Sequence, residues 1–151
     1  MLVISVCLLL GLMFVFPPLR KNGFYMLHLL VVTAIVWYFE NTYFPHRNVS
    51  FFVAHWQKIF LLFLLFHIVS INFATFLAYG FDKKAAMHKD RRIPENQLHT
   101  LEFLGGWGGA LAGQRFFHHK NKKKEYQSFF WMLFVAEMIL LYIILKYIGI
   151  I

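Results

Sequence analysis

Four stretches of this chain, near residues 2–16, 24–39, 58–79 and 127–149, are apolar with few polar interruptions. Crossing a hydrocarbon core of roughly 30 Å takes about 20 such residues as a helix, because the backbone must satisfy its own hydrogen bonds there. The pattern predicts an all-α membrane protein with four transmembrane helices. Composition points the same way: 60% of the 151 residues are hydrophobic and only 15% are charged, far from the average of a soluble domain. A chain of this length has room for one bundle and none for a fused catalytic module. Its lone Cys7 gives no disulfide framework and no thiolate metal cluster.

The first run lacks a positive leading segment and a small-residue cleavage site, and Pro17, Pro18, Arg20 and Lys21 follow it. It reads as a retained short helix rather than a signal peptide. Lysine and arginine stay on the cytoplasmic side during insertion. Arg20 with Lys21, the run Lys83 to Arg92, and the run Arg115 to Lys124 therefore share the cytoplasm. Both termini then lie outside, 40–57 is an external loop, and the location is a bacterial inner membrane.

Leu98 to Gly113 is apolar enough to enter the bilayer, yet basic runs flank it on both sides. It should not cross. The expectation is a re-entrant or interfacial glycine-rich helical hairpin between the third and fourth spans, broken at Gly105-Gly106, with a first helix starting at Pro94 and a second running from Trp107 into Arg115. Gly105, Gly109 and Gly113 recur every four residues, which suits close approach of a neighbouring helix. The same glycines, beside Gln114, Arg115 and the lysines, also suit a cradle of backbone N–H groups for an anion. No nucleotide P-loop pattern is present.

The run His118, His119, Lys120, Lys122, Lys123, Lys124 precedes the last span. It serves as a topology anchor, attracts anionic lipid headgroups at about 1 kcal/mol per basic residue, or draws nucleic acid by the same field. Within the third span Asn72, Thr75 and Tyr79 share a face that leads to Asp82. Glu137, mid-span in the last helix, requires a partner, with His28 or His67 as candidates, or a proton on its carboxyl. Glu95, His99 and Glu102 line one helical face, a wet side more often than a cation site. No metal-ligand spacing appears, and no cofactor is implied.

The order Tyr79-Gly80-Phe81-Asp82-Lys83, Arg92-Ile93-Pro94-Glu95, Leu98, Leu104-Gly105-Gly106, Gly109-Ala110 and His119-Lys120 with Lys123 resembles the small bacterial membrane proteins grouped as domain of unknown function 1294. The resemblance covers about residues 70 to 140. Residues 58–151 then form the family domain, and 1–57 look like an N-terminal extension with two spans. The resemblance implies no established activity; some relatives carry a cold-shock nucleic-acid-binding domain, which this chain lacks. Where the family pattern often reads H-K-T-x-K followed by Phe, this chain has His119-Lys120-Asn121-Lys122-Lys123 and Tyr126.

The leading reading is a membrane protein whose basic cytoplasmic face binds an anionic group, a lipid headgroup or phosphate, through Lys83, Arg92, Gln114, Arg115, Lys120 and Lys123. Gly105, Gly106, Gly109 and Gly113 would be structural. The competing readings are an enzyme acting on such a phosphate, with Asp82, Glu95 and His119 as catalytic candidates, a subunit that packs a membrane partner or a second copy through its glycine face, and a membrane-tethered contact with nucleic acid.

Overall fold

The computed structural model describes Cys7, Leu10, Gly11 and residues 21–43 and 49–151. Its order is α1 (Gly23–Tyr43), α2 (Val49–His88), α3 (Glu95–Leu101), a π-helical turn (Glu102–Gly106), α4 (Trp107–Phe116) and α5 (Lys124–Tyr147). The described residues are all-helical, without a strand. Three segments among them, Gly23–Thr42, Ala54–His88 and Lys124–Tyr147, are long and apolar enough to cross a membrane. Among the described residues the count is three; the expected first span at 2–16 lies outside the described residues apart from Cys7, Leu10 and Gly11.

Asn22 starts α1, its Oδ1 accepting the N–H groups of Phe24 at 3.2 Å and Tyr25 at 3.4 Å. Side-chain oxygens of this kind satisfy the first-turn donors that a helix leaves unpaired. The Asn22 amide also donates to the Gln97 carbonyl at 3.1 Å, which ties α1 to α3.

At both ends α2 runs past the expected 58–79. Upstream, helix begins at Val49 and kinks at His55, so 40–43 and 49–57 of the expected external loop are helical, and 44–48 lie outside the described residues. Downstream, Lys83, Lys84, Ala85, Ala86 and Met87 are strong helix formers and carry the helix to His88. Lys89 then adopts the left-handed region at φ 57°, and the Asp90 N–H returns to the Ala85 carbonyl at 2.9 Å, a left-handed cap without its usual glycine. Asp82 thus stands within α2.

Contacts of the middle segment step along α2. The Ile93 N–H donates to Asp82 Oδ1 at 3.0 Å, the Tyr79 hydroxyl donates to Glu102, and His67 Nε2 donates to the Leu104 carbonyl at 2.8 Å. After the π turn the order reverses. The Gly109 N–H donates to Asn72 Oδ1 at 2.5 Å, Gly113 lies against Tyr79, Phe117 against Gly80, and His119 meets Asp82.

Gly105 makes the reversal possible with φ 101°, a conformation L side chains avoid. It therefore leaves the expected four-residue stripe, which is replaced by Gly106, Gly109 and Gly113 facing α2. A Cβ at Gly106 would overlap Thr75 Oγ1, one at Gly109 the Asn72 carbonyl, and one at Gly113 would come within 2.7 Å of Tyr79 Cβ. The space an anion cradle would need is filled by α2, and Asn72 takes the Gly109 N–H.

Candidate functional site

One carboxylate organises the end of the bundle where α2 stops. Asp82 is fully buried and receives four groups: the Ile93 N–H on Oδ1, and on Oδ2 His119 Nε2 at 2.8 Å, Lys120 Nζ at 3.4 Å and Arg92 at 3.6 Å. Lys120 is nearly as buried as Asp82 and continues to Glu95 Oε1 at 3.4 Å. Lys123 closes on both Glu95 oxygens at 2.9 Å. The Glu95 carboxyl is held below the usual carboxylate range, chiefly by that hydrogen bond from Lys123.

Local geometry delivers His119 and Lys120 to this point. Beyond the end of α4, His118 takes φ 49°, and the His119 N–H bonds back to the Gln114 carbonyl at 3.2 Å. Lys120 follows at φ 60°. Left-handed residues other than glycine cost about 1–2 kcal/mol each, and it is through this turn that His119 and Lys120 reach Asp82.

A second cluster lies beneath the first. Glu102, buried, accepts from Tyr79 and from Tyr126 at 2.7 Å on Oε1, and from His99 Nδ1 at 2.5 Å on Oε2. Gln114 donates to the Tyr79 hydroxyl at 3.2 Å and accepts from Gln127 at 2.6 Å. Lys120 Nζ sits 4.7 Å from the centre of the Tyr126 ring, and the His99 ring stacks on the same tyrosine at 4.2 Å. Tyr126 and Lys120 thus join the two layers.

Of the anion-binding candidates, Arg92, Lys120 and Lys123 meet at the Asp82 network. Gln114 does not: it is buried in the tyrosine layer. Arg115 is exposed away from the network, and Lys83 lines a separate shallow groove with Gly80, Phe81, Met87 and Phe117. Among the catalytic candidates, Asp82 and His119 are in direct contact, while Glu95 reaches them only through Lys120. The supposed face of Glu95, His99 and Glu102 divides, Glu95 turning to the lysines and Glu102 to the tyrosines. The described residues hold no group of three or more His, Cys, Asp or Glu placed to take a metal.

Asn72, Thr75, Tyr79 and Asp82 do share the face of α2 turned to this segment. Asn72 bonds the Gly105 carbonyl at 2.8 Å, while Thr75 bonds back to Ile71 at 2.7 Å within its own helix. The roles of Glu102 and Gln127 were not read from the sequence. The only available signal was a carboxylate inside an apolar segment, which is costly unless several donors meet it.

Three helices of membrane-crossing length and apolarity, with an exposed apolar surface on α5 that includes Met132, Val135 and Ile139, are compatible with a multi-pass helical membrane protein. The chain belongs to the family described as "Protein of unknown function (DUF1294)", whose profile matches residues 72–126. It is 32% identical over 75 residues to "Uncharacterized protein YsdA" of Bacillus subtilis (strain 168), an alignment covering 50% of this chain and 84% of that protein. No solved structure matches.

Proposed function

We propose that this protein binds an anionic phosphate group, of a lipid headgroup or free in solution, at the Asp82 end of the bundle, and that this end faces the cytoplasm. The observation that carries the reading is Arg92. Its side chain is 52% exposed and stands 3.6 Å from Asp82, beyond hydrogen-bond range, so its planar fork of donors remains open to a phosphate. Around it, the negative charges of Asp82 and Glu95 face the positive charges of Arg92, Lys120 and Lys123, and the exposed Lys122 and Lys124 add to the surplus.

In the same reading residues 95–116 are re-entrant, entering and leaving at one membrane face. The support is the reversal of contacts along α2 and the basic flanks at both ends. Depth is tolerated because α2 covers the irregular backbone at Gly105.

Native mass spectrometry of detergent-purified protein with phosphatidylglycerol, phosphatidylcholine or inorganic phosphate tests the binding. Retention of phosphatidylglycerol over phosphatidylcholine, reduced more by Arg92→Lys than by Lys122→Gln or Lys124→Gln, is expected. Competition by inorganic phosphate marks the phosphate alone as the determinant. Equal small losses from all three variants leave only an anchor.

The 2.8 Å contact between Asp82 and His119 favours a second reading, in which a carboxylate-oriented imidazole acts as acid or base on the bound phosphate ester. Phosphate release from phosphatidic acid that disappears in His119→Asn supports it; no release from the native protein removes it.

A further inference from the structure

The last turns of α2 carry a separate feature on the side turned away from Asp82. A groove of about 500 Å³ lies there, lined by Leu77, Phe81 and Met87 from α2 and by Phe117 from the turn after α4. Its size is that of a small-molecule site. Phe81 and Met87 are 56% and 64% exposed. Gly80 lies against the Phe117 ring, which a Cβ at that position would approach to 2.8 Å, so the absence of a side chain lets the ring rest on α2. Phe76 and Phe116 hold the ring, with centres 5.1 Å and 5.0 Å from it.

Three basic side chains complete the lining, Lys83, Lys84 and His88, and no acidic side chain joins them. Neither lysine forms an ion pair among the described residues. Lys120 and Lys123, by contrast, are held by Asp82 and Glu95. His88 Nδ1 donates to the Lys84 carbonyl at 2.9 Å, which fixes the imidazole beside that lysine.

The two kinds of lining follow one another along the helix. The apolar stretch Ala54–His88 has 35 residues, whereas about 20 cross a core of roughly 30 Å, so α2 is too long to lie wholly within it. Leu77 and Phe81 come first, Lys84 stands about 10 Å beyond Leu77, and His88 is one turn further; Met87 is the apolar exception among the basic groups. Lysine stems cover apolar surface while their ammonium groups reach headgroup level. Free phosphate would meet the cations and leave the apolar wall uncovered. A neutral lipid would cover the wall and leave two cations unpaired.

We propose that this groove binds one anionic phospholipid, with an acyl chain along Leu77, Phe81 and Phe117 and its phosphate among Lys83, Lys84 and His88. The site rests on the membrane reading above, with this end of α2 at a membrane face, and not on phosphate binding at Arg92.

A phosphatidylglycerol carrying a diazirine near the ester end of one acyl chain, at trace level in phosphatidylcholine vesicles that hold the full chain, tests the groove. Adducts mapped by mass spectrometry should concentrate on Leu77, Phe81, Met87 or Phe117, and the phosphatidylcholine analogue should give fewer there. Lys83→Gln combined with Lys84→Gln should lower the phosphatidylglycerol adducts about tenfold or more. Lys122→Gln combined with Lys124→Gln removes the same charge elsewhere and should lower them much less. Arg92→Lys should leave them unchanged whatever it does to binding at the Asp82 end, so the two readings fail separately. Equal labelling by the two lipids, adducts as frequent on the exposed face of α5 at Met132, Val135 and Ile139, or equal losses from the two lysine pairs overturns the proposal.

Discussion

His119 and Asp82 stand 37 positions apart in the chain, and their side chains meet at 2.8 Å. The contact draws the turn after α4 onto the end of α2, and Lys120 follows it into a site where only 4% of its side chain is exposed. Two buried opposite charges then depend on each other.

Breaking that pair leaves one charge buried alone. Asp82→Asn should cost about 3–5 kcal/mol of stability, whereas Glu95→Gln, at the half-exposed pair with Lys123, should cost about 0–1 kcal/mol. Thermal unfolding in detergent separates the two. Comparable losses would mean that Lys120 relaxes to solvent.

Gly109→Ala should destabilise by about 1–3 kcal/mol or more, since the added carbon overlaps the Asn72 backbone and cannot be accommodated by a rotamer change. Gly23→Ala is the control, with nothing within 4 Å of the new carbon. Circular-dichroism melts of both variants check the contrast.

His118→Gly should stabilise by about 1 kcal/mol, because glycine takes φ 49° without the steric penalty a side chain carries there. His118 is exposed, so little packing is lost. A lower melting temperature would show that the imidazole itself holds the turn.

The depressed Glu95 pKa has a defined sign. A carboxyl whose folded value lies below its unfolded value adds stability at neutral pH and loses it as pH falls through the folded value. The melting-temperature difference between native protein and Glu95→Gln should therefore be small at pH 7, begin to shrink as pH falls past the ordinary glutamate value of about 4.3, and vanish once pH is below the lowered folded value.

Membrane placement is tested by labelling. Single cysteines at Asn96 and Arg115, both exposed, should react with an impermeant thiol reagent from the cytoplasmic side, and one at Trp107 should be protected. Cytoplasm-dependent reporters fused after Ala86 or Lys124 should be active, and those after Asn48 or Ile151 inactive. Labelling of the two ends from opposite faces would make 95–116 a crossing segment.

Hydropathy alone located the three described spans, because a helix in hydrocarbon must be apolar along its whole length whatever it packs against. The stripe Asn72, Thr75, Tyr79 and Asp82 was legible for a similar reason: helical periodicity is local. Partners are not local. Gln114 looked like a surface donor beside lysines, and only the close approach permitted by Gly113 turned it inward to Tyr79. Gly105 read as one member of a regular stripe until its positive φ removed it and set Gly106 in its place. Composition showed that the basic groups cluster, but which of them neutralise Asp82 and which remain open depends on a turn closed by His118 and Lys120 in left-handed conformations. Apolar length is a property each segment carries by itself, whereas pairing a charge requires two segments to be brought together, and that is decided by the packing of the whole chain.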